Sequence, residues 1–230
     1  MSTYPVPDYW LPRPAAAPTP DLKSAFADYW QAALANGSRN PLAYSLPAPK
    51  WQFLCYLSDE LGLALHGSPS DEIAVFEPRQ SNDENPFGNQ KAVYAAGDGL
   101  WPMFFAVIDR EHYPMLITNA CIRLADKAGQ ETEPLYVFSI SRQALAQRPW
   151  RTGTVYVLPA GTFVRMPPFP FGEFEVRVPQ LASFEPVTPL ARLTIGPEDF
   201  PFLAHIRGHD DARWSEYSQA LQTGGPWPDP

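Results

Sequence analysis

The sequence is short of charge, of cysteine and of long apolar runs, and each shortage excludes something. Only 18% of its 230 residues are Asp, Glu, Lys or Arg, and the acids outnumber the bases 25 to 17, giving a formal net charge of −8 at pH 7. A chain whose main task is gripping nucleic acid needs basic clusters, and this one has few, so stable nucleic-acid binding is not expected. Brief enzymatic contact with a nucleic acid end stays compatible with that balance. The two cysteines, Cys55 and Cys121, lie far apart inside apolar runs. They read as reduced core thiols, not as a disulfide framework. No apolar run approaches the roughly 20 residues that cross a bilayer. The first twenty residues lack the basic start and apolar middle of a secretory signal, so the expected setting is the cytoplasm and no membrane partner is expected. Also missing are a phosphate-binding P-loop, a Gly-x-Gly-x-x-Gly dinucleotide signature, a Gly-x-Ser-x-Gly elbow and a paired Cys-x-x-Cys.

What the chain has in excess is proline, 28 residues of it, gathered near the N-terminus, around residues 167–170 and in the last five residues. Such clustering marks arms and loops. Residues 1–18 read as a proline-rich arm whose Tyr4, Tyr9 and Trp10 suggest docking, since a purely solvated tail seldom carries three aromatics. Residues 19–222 read as one domain, with helices over 19–62, a core over 63–195 and C-terminal helices over 196–222; residues 223–230 form a tail. Thr19-Pro20 makes a helix start, cap then proline, and the pattern runs to Asn36-Gly37. A second helix is expected over residues 50–61, closed by Gly62.

After residues 63–65, strand-like runs follow at 91–96, 115–124, 135–140, 154–158, 173–178 and 192–195. A helix over 98–109 is opened by Asp98. Shorter helical pieces are expected at 141–147, 200–206 and 212–222. Helices first, then strands with few helices between them, is the order of an α+β fold rather than of a doubly wound parallel sheet.

Three blocks carry candidate chemistry. His66-Gly67-Ser68 ends the first strand-like run, where an imidazole can hold a hydroxyl and a glycine lets a ligand approach the backbone. Tyr94 and Phe105 are eleven residues apart, one on a strand and one on the following helix. Aromatic faces there could bury a flat, partly cationic ring. Glu173 and Glu175, two apart on one expected strand, would project from the same face. His205 and His209 straddle Gly208, which makes a shared metal-binding face doubtful, and no metal is expected.

Together these blocks resemble the NAD-binding core of the ADP-ribosyltransferase superfamily, in the His-Tyr-Glu branch of the poly(ADP-ribose) polymerases and diphtheria-type toxins. The resemblance covers about residues 63–195. It implies a split β-sandwich with peripheral helices and NAD as the substrate. In that scheme His66 holds the adenosine ribose, Gly67 the nicotinamide amide and Ser68 a nearby ribose or phosphate. Tyr94 and Phe105 clamp the nicotinamide, and Arg79 meets the pyrophosphate. Glu173 or Glu175 steadies the cationic charge that builds as the glycosidic bond breaks.

Two departures stand out. Pro102 occupies the place of a serine that the family often uses to bind the amide, and proline has neither hydroxyl nor N–H. Counting back from the last strand also allows Gln180 to take the glutamate's place, and an amide carries no charge to oppose the cation. The resemblance therefore implies NAD-dependent transfer of ADP-ribose to a protein, nucleic-acid end or small molecule. Its alternative is a catalytically silent domain that binds a nucleotide or partner. Chemistry on a 2′-phosphorylated RNA end uses the same scaffold but needs several clustered arginines, which are not apparent.

Overall fold

The computed structural model describes residues 6–36, 41–83 and 85–228; Tyr4 of the arm and the expected helix end at Gly37 lie outside them. The arm is docked and contributes a two-residue strand, β1 (Leu11–Pro12). Helix α1 (Pro20–Asn36) starts as the Thr19-Pro20 signal dictates, with Leu22 N–H donating to Thr19 Oγ1 at 3.3 Å. Phe26, Trp30 and Ala33 recur every three or four residues and all are buried. Helix α2 (Lys50–Asp59) packs on it through Phe53 and Leu57, and Gly62, at φ +64°, turns the chain out of the helix end.

The strands follow: β2 (Ala64–Ser68), β3 (Arg79–Gln80) and β4 (Lys91–Ala96), then the helix α3 (Trp101–Val107). Next come β5 (Ile117–Ala125), β6 (Leu135–Ser141), the short α4 (Arg142–Leu145) and β7 (Gly153–Leu158). Four brief strands are β8 (Phe163–Arg165), β9 (Phe169–Phe171), β10 (Phe174–Arg177) and β11 (Gln180–Ser183). The chain closes with β12 (Ala191–Ile195), β13 (Arg207–His209) and α5 (Trp214–Thr223).

These strands make two sheets, and the fold is α+β. One runs β1-β6-β5-β10-β9, with β13 added parallel to β6; the other runs β12-β7-β2-β4-β11-β8, with β3 on β4. All other pairings are antiparallel. Strands β6 and β7 are buried at every residue, as their runs of Val, Ile, Leu, Tyr and Phe require. The main core joins α1, α2 and α3 to Leu65, Val155, Val157 and Leu193 of one sheet and Tyr136, Phe138 and Ile140 of the other. Phe104 of α3 meets Phe138 with ring centroids 4.9 Å apart.

Several expected elements differ. The first strand begins at Ala64 and includes His66-Gly67-Ser68, three residues past the expected 63–65. Residues 200–206 form short 3₁₀ turns leading into a strand, because Pro197 and Pro201 deny the segment regular helical hydrogen bonds. Residues 173–178 are not one strand. Gly172, at φ +60°, and Glu173 form the two-residue turn of a hairpin in which Phe174 pairs with Phe171. Glu173 therefore sits at the hairpin tip and shares no strand face with Glu175.

Candidate functional site

Strands β2 and β4 touch at a single register pair, Leu65 opposite Ala96, while β2 stays paired with β7 as far as Ser68 opposite Thr154. Beyond Leu65 the sheet is thus split between β2 and β4. Side chains alternate along a strand, so Leu65, Ala96 and Tyr94 share one face and His66 projects from the other. His66 closes the split with a hydrogen bond to backbone: its Nδ1 lies 2.6 Å from the Tyr94 carbonyl oxygen. A carbonyl only accepts, so Nδ1 carries the proton and the neutral ring's lone pair is on Nε2. Burial pushes the His66 pKa down, against the smaller opposing effect of the Tyr94 carbonyl, and this favours that neutral ring. Among the described residues Nε2 has no hydrogen-bond partner, and the residue is half-buried. Phe76 covers the imidazole at 4.7 Å between centroids and makes a T-shaped contact with Tyr156 at 5.1 Å.

Gly67 faces α3. A Cβ on it would stand 1.8 Å from the Pro102 carbonyl oxygen, so the missing side chain is what lets the helix lie on β2. Pro102 is buried in the first turn of α3, where its lack of an N–H costs nothing. Ser68 Oγ accepts from Ser70 N–H at 3.1 Å and shapes the loop after β2. The Tyr94 hydroxyl donates to the Phe87 carbonyl at 3.0 Å and accepts from Gln90 N–H at 2.9 Å, anchoring the loop before its own strand. Phe105 is half-buried against the main core and meets Phe104 edge-on at 5.5 Å. Arg79 lies exposed on β3, opposite Ala92.

The carboxylates are elsewhere. Glu173 is 83% exposed and 3.7 Å from Lys127 Nζ, while Glu175 is 44% exposed and 2.9 Å from Arg177 Nε. Both belong to the sheet that contains neither His66 nor Tyr94. The residue that does flank the Tyr94 strand is Gln180, first in β11, opposite Ala96. The structure therefore joins His66 to the Tyr94 backbone, places Gly67 and Gln180 on the opposite face of the same sheet, and leaves Glu173 and Glu175 on the other sheet.

Sequence reasoning missed the long-range partners of a buried carboxylate, Asp98, read there only as a helix cap. Its Oδ1 accepts from Leu100 N–H and Trp101 N–H at 2.9 and 2.8 Å, and its Oδ2 accepts from the Tyr136 hydroxyl at 2.7 Å and Arg13 Nη2 at 2.8 Å. Burial and this carboxylate hold the Tyr136 hydroxyl pKa far up. The partners lie 38 and 85 residues away, so no local pattern announces them. Cys55 and Cys121 are both free and buried, and burial pushes both thiols up.

Two further clusters resemble sites without acting as open ones. Ser139 Oγ is 2.8 Å from His209 Nδ1, and His209 Nε2 is 3.4 Å from Asp211 Oδ1, a nucleophile-like order. Ser139 and His209 are fully sealed, however, and the serine already donates to the Arg207 carbonyl. Asp109, Glu111 and His112 bring possible ligand atoms within 4.8 Å of one another. Arg151 Nη1 already supplies the cation there, 3.3 Å from Glu111 and 3.8 Å from Asp109. His205, in a 3₁₀ turn, and His209, on β13, share no helix face. Among the described residues no helix is long and apolar enough to cross a membrane. No protein-family model, curated protein or solved structure matches the chain.

Proposed function

We propose that this chain is a nucleotide-binding module on an ADP-ribosyltransferase-like scaffold, one that takes up NAD or its ADP-ribose portion without cleaving the nicotinamide–ribose bond. The observation that carries the reading is the neighbour of the Tyr94 strand. In the family, the catalytic glutamate's strand leads by a short turn into the last strand. Here β11 leads into β12, and β11 begins with Gln180. An amide can hydrogen-bond a ribose hydroxyl but offers no negative charge to an oxocarbenium-like transition state. Binding groups remain. The His66 Nε2 lone pair is free to accept from a ribose hydroxyl, because Nδ1 is committed to the Tyr94 carbonyl.

The test combines a melting assay with a nicotinamide-release assay. ADP-ribose or NAD at about 100 times its Kd should stabilise the protein by roughly 2.7 kcal/mol, with no nicotinamide released. His66→Ala should abolish the stabilisation. Gln180→Glu should give measurable release from NAD. Because protonation removes the Nε2 acceptor, and burial holds the His66 pKa below the ordinary imidazole value, affinity should stay flat through neutral pH and fall only in more acid solution. Nicotinamide release by the unmodified protein would replace this reading with an active transferase. Absence of any stabilisation by millimolar NAD and ADP-ribose would remove both.

A further inference from the structure

A surface cleft of about 560 Å³ lies away from His66, between α2 and the docked N-terminal arm. That volume is in the range of small-molecule sites. Tyr56 and Trp51 of α2 line it, Trp51 with only 7% of its surface exposed, together with residues 13–18 of the arm. The arm is fixed as a wall, because Gln52 Nε2 donates to the Ala16 carbonyl at 3.1 Å and Arg13 pairs with the buried Asp98 at 2.8 Å.

The charges lining the cleft decide what fits it. Two are cations, Arg13 and Lys23, and three are carboxylates, Asp59, Glu60 and Glu133. Both cations are already neutralised: Arg13 by Asp59 and Asp98, Lys23 by Glu60. Glu133 is exposed and has no partner among the described residues. The Tyr56 hydroxyl and the Trp51 indole N–H likewise make no hydrogen bond there. The cleft thus combines a partly aromatic lining with a net negative charge, three carboxylates against two cations, of which only Glu133 has no cation partner among the described residues.

We propose that this cleft binds a small organic cation, an amine carried on an apolar or aromatic body. The ammonium group would face Glu133, and the body would lie against half-buried Tyr56 and the small exposed part of Trp51. An anion would meet Glu133 and find both cations occupied.

Isothermal titration with phenethylamine, and with its charge-reversed analogue phenylacetate, tests this. Saturable binding of the amine is expected, with no binding of phenylacetate. Glu133→Gln should weaken the amine by about fivefold, the size of one partly exposed ion pair. Ala17→Trp, which adds an indole to an exposed residue of the lining, should abolish binding. The proposal is overturned by no saturable heat up to about 10 mM amine, by phenylacetate binding as well as the amine, or by unchanged affinity in Glu133→Gln. No dinucleotide enters the experiment, so its failure would leave the proposed function where it stands.

Discussion

Asp98 shows how much one side chain is asked to do in this molecule. At 2% exposure it holds the first turn of α3, the guanidinium of the arm and the hydroxyl of a β6 tyrosine at once. Removing one partner of a buried charge pair leaves the other uncompensated, at a cost of about 3–5 kcal/mol. Asp98→Ala should therefore lower the melting temperature by on the order of 10 °C in a calorimetric scan. Asp98→Asn, which keeps an acceptor for the two amides, should cost less. The sequence places a helix start at Asp98, since an Asp before an apolar run is a local signal; α3 begins three residues later, at Trp101, and Asp98 serves it by accepting from the Leu100 and Trp101 N–H groups. The sequence does not give Arg13 or Tyr136, because nothing in a linear pattern reports which distant side chain closes over a carboxylate.

At the level of elements, α3 depends on two absent side chains. A Cβ on Gly67 would meet the Pro102 carbonyl oxygen at 1.8 Å, and one on Gly153 would meet the Ala106 carbonyl oxygen at 2.1 Å. Both obstacles are helix backbone, which yields only by moving the helix. Gly67→Ala should thus destabilise by about 1–3 kcal/mol, the usual cost of overpacking, measured by urea unfolding. Gly161→Ala, with open space around the new methyl group, should be near neutral.

The longer elements were legible. The Thr19-Pro20 start, the recurrence of Phe26, Trp30 and Ala33, and the apolar runs of β6 and β7 each carry their own period. Strands of two to four residues, such as β1, β8, β9 and β11, are too short to show alternation and exist because a neighbour pairs with them. Glu173 and Glu175 read as one strand face, but the positive φ of Gly172 turns the chain between Phe171 and Phe174 and puts Glu173 at a hairpin tip. Gln180 shows its neighbour only through long-range pairing, with Ala96 of the Tyr94 strand.

For the whole molecule, the C-terminal segment is held by a sealed histidine. His209 has no exposure, and its ring packs on Trp214 and Tyr217 of α5. Asp210, Asp211 and Arg142 are the charged groups around it, and Ser139 faces it from β6. Burial holds its pKa below the ordinary imidazole value. The unfolded chain therefore takes up the proton more readily than the fold does. The stability held by the neutral ring is complete above the ordinary value and is lost as pH falls through it toward the depressed one. Melting temperature should fall between pH 7 and more acid solution, and His209→Asn should flatten part of that slope. An unchanged slope in the variant would assign the acid sensitivity to other groups.

The Tyr9 hydroxyl lies 3.0 Å from both the Ala220 and Gly225 carbonyl oxygens, which share its single proton, and its ring meets Trp227 at 5.2 Å. The first and last described stretches of backbone thus close a circuit on one side of the molecule. Anything that frees the segment around Trp227 therefore also loosens the arm that carries Arg13 to Asp98.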